Sequence, residues 1–193
     1  CVPVSLYDDA QWHVVEVNIA PTGAGGAVVT FDFDNGAYGG FGLADGYRLP
    51  QPAYLGFTAR TGGATNNHWV KNVNTGGAWV IPPPPPPPPP LPVTISPSQF
   101  TLTGSALIDG ETISITQAEG SQTGTAFVQV ADGGSDFKFT VRYDMYTGGG
   151  SGADGQCVNI GGNDLGGRVA ENGVTQGVAL CFDEWANSGD HGV

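Results

Sequence analysis

Apolar and polar residues alternate with a period of two along much of this chain, and that period marks strands with one buried face. In Gln11–Ile19, Val15, Val17 and Ile19 fall on one side and Glu16 and Asn18 on the other. Ala27–Asp34 repeats the pattern, with Val29, Phe31 and Phe33 opposite Thr30, Asp32 and Asp34. Pro21–Gly26 reads as the turn between them, and Asp34-Asn35-Gly36 as a tight hairpin turn, because these residues tolerate positive φ. Tyr38–Gly46 reads as a glycine-rich loop. Tyr54–Ala59 and His68–Val73 are two further strands, joined by the polar loop Arg60–Asn67. Polar loops on a rigid scaffold often carry binding.

Further on, Phe100–Leu102, Thr112–Thr116 and Thr125–Val130 read as short strands between glycine-containing turns. The clearest alternation is Phe137–Met145. Phe137, Phe139, Val141, Tyr143 and Met145 line one face, and Lys138, Thr140, Arg142 and Asp144 the other. Gln156–Ile160 and Val178–Phe182 complete the set. The pattern predicts an all-β fold with almost no helix.

One stretch breaks the pattern. Ile81–Pro92 contains nine consecutive prolines, Pro82–Pro90. Each ring holds φ near about −65° and removes a backbone donor, which excludes helix and central strand. Such a run predicts a polyproline II rod, and twelve positions at about 3.1 Å each span roughly 37 Å. The rod reads as a spacer; the alternative is a ligand for an aromatic-lined groove. It divides the chain into residues 1–80, the linker 81–92 and residues 93–193.

Composition narrows the partners. With 32 glycines and few helix formers, the chain favours strands and turns. A net charge of −12 speaks against nucleic acid and anionic membrane, and suits calcium and neutral polymers such as glycans. No apolar run approaches the roughly 20 residues that a membrane-spanning helix needs. No signal peptide is recognisable, so a secreted protein would be represented here by mature or internal sequence. Three cysteines in this lysine-poor, polyproline-bearing chain point to an oxidising, extracellular setting. There is no N-x-S/T acceptor for N-glycosylation.

The segment after the prolines resembles the N-terminal half of the L-type (legume-type) lectins, whose fold is a concanavalin-like jelly roll. The matching residues are FTLTGSALIDGETISIT from Phe100, GADG at Gly152–Gly155, and VALCFDEWANSGDH at Val178–His191. The segment before the prolines resembles the C-terminal half of that family, through QWHVVEVNI, LPQPAYLGFTARTGG and the returning strand from His68. The order of the halves is inverted. A globule–polyproline–globule plan is also similar to the hydroxyproline-rich extracellular glycoproteins of green algae. The resemblance implies a jelly-roll β-sandwich completed by two half-domains flanking the rod.

It also implies sites. Asp183, the carbonyl of Trp185, Asn187 and Asp190 match the family's calcium ligands, and hard oxygens at alternate positions suit that ion. The alternative is a polar turn in which Asp and Asn bond their own backbone. Asp183 and Glu184 are adjacent and point to opposite faces, so only one joins the cluster. His191 matches the family's transition-metal histidine, but Cys181 replaces the metal-binding glutamate. That speaks against a second metal and for a surface or structural His191.

For sugar, the family uses an aspartate in the GADG turn, the calcium-loop asparagine and a late loop. Here these are Asp154, Asn187 and the loop containing Gly62, Gly63, Ala64, Thr65, Asn66 and Asn67, with Trp185 or Trp69 available to stack on a ring. The alternative for Ala153-Asp154-Gly155 is a simple tight turn. Cys157 and Cys181 fall on strands that are neighbours in the family fold, which implies a disulfide; the alternative is two buried thiols. Cys1 is left over.

Glycoside hydrolases share this sandwich and need two carboxylates facing each other across the cleft. Glu16, Glu111, Glu119, Glu171 and Glu184 are isolated, with no E-x-D or E-x-x-x-E spacing, and no Ser–His–Asp set is suggested. The expectation is therefore a non-enzyme: a repeat unit of an extracellular fibre or cell-surface glycoprotein, or a calcium-dependent carbohydrate-binding module. Neither half alone buries its apolar face. The halves are completed either within the chain, as a circular permutant, or by neighbouring copies; the rod suits passage between globules, so residues 1–80 of one copy are expected to pack with residues 93–193 of another, head to tail, as a filament. Glycans, including sugars on its own prolines, are the other expected partners.

Overall fold

The computed structural model describes residues 6–22, 26–43, 47, 52–76, 93–131, 139–162 and 177–185. Among them are thirteen strands: β1 Trp12–Pro21, β2 Ala27–Phe33, β3 Gly36–Leu43, β4 Ala53–Arg60, β5 Asn67–Gly76, β6 Val93–Thr94, β7 Thr101–Gly104, β8 Leu107–Asp109, β9 Thr112–Thr116, β10 Thr123–Ala131, β11 Phe139–Gly148, β12 Gly155–Gly161 and β13 Gly177–Asp183. A 3-10 turn, Pro97–Gln99, precedes β7. No helix among the described residues is long and apolar enough to cross a membrane.

The strands form two antiparallel sheets. One runs β3-β2-β1-β11-β5-β9-β8, with β6 paired to β5; the other runs β13-β12-β4-β10-β7. The alternation read in the sequence sets the faces, and Val15, Val17 and Ile19 of β1 are buried while Glu16 and Asn18 are half-exposed. Asp34 and Asn35 both adopt positive φ, at 48° and 64°, as a two-residue hairpin turn demands. That turn also explains a difference from the sequence reading. Residues 36–43 form strand β3, although their glycines read as loop. The tight turn returns the chain alongside β2, pairing Val29 with Phe41 and Phe31 with Gly39, and ladder hydrogen bonds need no side chain.

The inner faces of the sheets meet in one core. Val15, Val17, Val141, Tyr143 and Met145 come from the larger sheet, and Leu55, Phe57, Val158, Ile160 and Phe182 from the smaller. Phe57 stands edge-on to Tyr143, ring centroids 4.8 Å apart, so a residue before the prolines packs on one after them.

The two segments therefore complete each other within a single chain. β1 pairs with β11 over eight positions, and β4 lies between β10 and β12. The sandwich is thus complete without exchange between copies. The physical reason is visible at the ends of the proline stretch. Thr75 on β5 is the register partner of Val93 on β6, so the chain leaves and re-enters one sheet at neighbouring strands. The prolines do not separate two globules; both flanks belong to one sandwich. Pro82–Pro90 themselves lie outside the described residues.

Candidate functional site

One end of the smaller sheet gathers the residues that matter. Gly155 of β12 is paired with Arg60 of β4 on one side and Asp183 of β13 on the other. The next residues off each strand, Asp154, Thr61 and Glu184, thus emerge side by side. Backbone hydrogen bonds continue past the strands, from Asp154 N–H to the Arg60 carbonyl at 3.0 Å and from Glu184 N–H to the Asp154 carbonyl at 3.0 Å. On the larger sheet, Gly148 of β11 pairs with Asn67 of β5, which brings the loop after β11 onto the loop before β5.

Those two loops are fastened together. Ser151 and Gly152 N–H both donate to the Thr65 carbonyl, at 2.6 and 3.1 Å, and Thr65 N–H donates to Ser151 Oγ at 3.1 Å. Gly150 N–H donates to Asn66 Oδ1 at 3.0 Å. A Cβ on Gly150 would lie 2.0 Å from the Thr65 carbonyl oxygen, so only glycine permits this approach. A Cβ on Gly62 would lie 3.2 Å from Asp154 Oδ2, which places the loop directly over the carboxylate. Arg60 Nε lies 3.3 Å from the same oxygen. Asp154 is almost buried and its peptide bond to Ala153 is cis, whereas Trp185 beyond β13 is half-exposed.

Asn66 anchors the arrangement from below. It is 1% exposed, and its side-chain Nδ2 donates to Asp8 Oδ1 and to Glu184 Oε2, each at 2.8 Å. Glu184 Oε1 faces His68 Nε2 at 3.0 Å, with both side chains fully buried, and His68 Nδ1 lies 2.6 Å from Thr116 Oγ1. Tyr7 donates its hydroxyl to the Asp183 carbonyl at 2.6 Å. Burial first, and then the charges of Glu184, Asp183 and Asp8, push the Tyr7 hydroxyl well above its usual pKa, so it stays a donor.

Of the residues singled out in the sequence, Asp154, Trp185 and Gly62 to Asn66 meet at this end. Asp183 is present, and its Oδ1 accepts the Trp185 N–H at 3.1 Å, the local bond a polar turn makes. Asn187, Asp190 and His191 lie outside the described residues. Among the described residues no group of three or more His, Cys, Asp or Glu is placed to hold a metal. Cys157 and Cys181 are cross-strand partners on β12 and β13 and form a disulfide, with Cα atoms 4.0 Å apart. The Cys181 sulfur is thus not available as a metal ligand.

Asp8 and Tyr7 were not singled out in the sequence, and His68 and Glu184 stood there only as a strand residue and as an isolated glutamate beside Asp183. Asn66 is separated from Asp8 by 58 residues and from Glu184 by 118. No spacing rule links residues that far apart, and only the sheet order brings them together. The adjacency of Asp183 and Glu184 implies opposite faces; the Glu184 side chain is fully buried, while Asp183 Oδ1 takes the Trp185 N–H.

No protein-family model matches the chain, and a search of curated proteins returns no match.

Proposed function

We propose that this chain is an extracellular carbohydrate-binding module, a concanavalin-like jelly roll that seats a neutral glycan where Asp154, the loop of Gly62 to Asn66 and Trp185 meet. The observation that carries the reading is the contact between Gly62 and Asp154, which come from opposite sides of the proline stretch. A carboxylate is a strong acceptor for sugar hydroxyls, and glycine at position 62 sets no side chain against it. The half-exposed Trp185 offers the apolar face on which such a ring stacks. The disulfide fits an oxidising compartment. Asp183 with the Trp185 carbonyl, Asn187 and Asp190 is the calcium set of this proposal, an all-oxygen set that suits calcium and would hold the Trp185 segment in place.

Binding of the full chain to an array of immobilised neutral oligosaccharides, with calcium present, tests the reading. Asp154→Ala and Trp185→Ala are expected to abolish binding while the fold is kept. An array on which no sugar binds, or on which both variants bind as well as the parent, overturns it.

A structural role in an extracellular fibre is the second reading, and strand β3 favours it. This eight-residue edge strand carries no charged side chain and is largely exposed, with Phe41 at 44%. Uncharged edges are templates for pairing between chains. In this reading copies meet at sheet edges rather than by exchanging halves. Sedimentation of the parent against Phe41→Lys tests it: a parent that stays monomeric at high concentration removes its support.

A further inference from the structure

His13 on β1 is buried against Phe33, with ring centroids 4.9 Å apart and stacked. Both of its nitrogens meet carboxylates. Nδ1 lies 2.7 Å from Asp34 Oδ2 in the turn after β2, and Nε2 lies 2.9 Å from Asp9 Oδ1 in the segment before β1. A neutral imidazole has one N–H and one lone pair, so it satisfies one carboxylate and turns its lone pair on the other. Only the imidazolium donates to both. Asp9 and Asp34 are the charged groups facing the ring; from β2 it meets Phe33, and its register partner on β11 is Met145.

The clamp reaches the candidate site through one residue. Asp9 is followed back along the chain by Asp8, whose Oδ1 accepts an N–H of the Asn66 side chain. Asn66 closes the loop that lies over Asp154; its side chain also meets Glu184 and Gly150, and its carbonyl accepts from Thr116 Oγ1 at 3.4 Å. We infer that protonated His13 is a positioning residue for that loop: by gripping Asp9 and Asp34 it holds Asp8 against Asn66, and it relaxes that grip when it loses its proton. The structural coupling stands by itself; its effect on sugar binding rests on the function proposed above.

Partial burial lowers the proton affinity of His13, but the hydrogen bonds and charges of Asp34 and Asp9 outweigh it, and the pKa is raised. The clamp is therefore present at low pH and is lost as pH rises through a midpoint above the ordinary value of about 6.5.

The test is a nuclear magnetic resonance titration of the full chain, following the His13 ring and the Asn66 side-chain amide. The Asn66 amide signals are expected to shift with the His13 midpoint, above about pH 6.5, and to lose exchange protection beyond it. His13→Gln should erase that step. Asp9→Asn, at an exposed carboxylate, should lower the His13 midpoint and uncouple Asn66, and it serves if His13→Gln does not fold. Asn66 signals that ignore the His13 titration overturn the inference, as does a step that survives His13→Gln and follows His68. Oligosaccharide-array binding on either side of the midpoint is read separately: if no sugar binds at any pH, the carbohydrate reading fails while the Asn66 step still decides the coupling.

Discussion

The side-chain amide of Asn66 lies between the carboxylates of Asp8 and Glu184, giving one N–H to each at 2.8 Å. Asn66→Ala removes both donors and leaves Glu184 with a single partner at a fully buried side chain. The expected loss is about 1–3 kcal/mol, the cost of an unsatisfied buried polar group. Asn66→Asp keeps the shape but sets a third carboxylate between two others, so it should destabilise more than alanine at neutral pH. It should also recover at low pH as the carboxylates protonate. Urea denaturation of both variants at two pH values checks the order; an aspartate variant as stable as the alanine one contradicts it.

Both sides of the proline stretch share one core, so unfolding should be a single transition. Phe57→Ala before the prolines and Val141→Ala after them should lower the same transition, the former by about 3–5 kcal/mol. Because the halves pair within one chain, the melting temperature should not depend on protein concentration, as it would if copies exchanged halves. Calorimetry over a wide concentration range reads this directly.

The bond between Cys157 and Cys181 closes a loop with a sequence separation of 24 and ties the edge strand β13 to β12. Reduction, or Cys157→Ser, is expected to cost about 3 kcal/mol on the loop-entropy account. The first region to loosen should be the end of β13 that carries Glu184 and Trp185. Hydrogen exchange with and without a dithiol reductant locates it. Ready alkylation of both cysteines without reductant would show the bond to be absent in solution.

Two glycines at the loop contact should respond differently. At Gly150 a Cβ meets a backbone oxygen at 2.0 Å, so Gly150→Ala must push the two loops apart. At Gly62 the nearest atom is a side-chain oxygen at 3.2 Å, which gives way with a small shift. Gly150→Ala should therefore lower the melting temperature clearly and Gly62→Ala only slightly. Gly62→Val should weaken oligosaccharide binding through the bulk it sets over Asp154. Equal melting temperatures for the two alanine variants would contradict this account of the contact.

The stability contributed by His13 has a definite sign. Its folded pKa is raised, so the contribution is complete below about pH 6.5 and fades as pH rises through the folded value. Asp9 moves the other way: its hydrogen bond to His13 holds its carboxyl below the usual range, so its contribution is lost only when pH falls through that lowered value. His13→Gln should flatten the stability profile on the alkaline side. A parent whose stability rises steadily from pH 6 to pH 8 runs against this assignment.

The strands and their faces follow from local pattern alone. A period of two is a local property, and it put Val15, Val17, Val141, Tyr143 and Met145 inward where the core has them. The turn at Asp34-Asn35 was equally local. Strand β3 was hidden because four of the residues in GAYGGFGL have no side chain with which to display a period, while its partner β2 supplies the backbone ladder. Which segment completes which is set by long-range pairing. The chain stiffness of nine prolines suggested separation, but Thr75 opposite Val93 holds both flanks in one sheet, and the register of β5 with β11 then sets loop against loop. The site shows the same division. Asp154 and Gly62 to Asn66 stood out as polar turns, but Asp8 and His68 had no local mark, and Glu184 only its place beside Asp183. Their chemistry depends on hydrogen bonds between residues 48 to 118 apart in sequence, and only the order of strands in the sheets sets those distances.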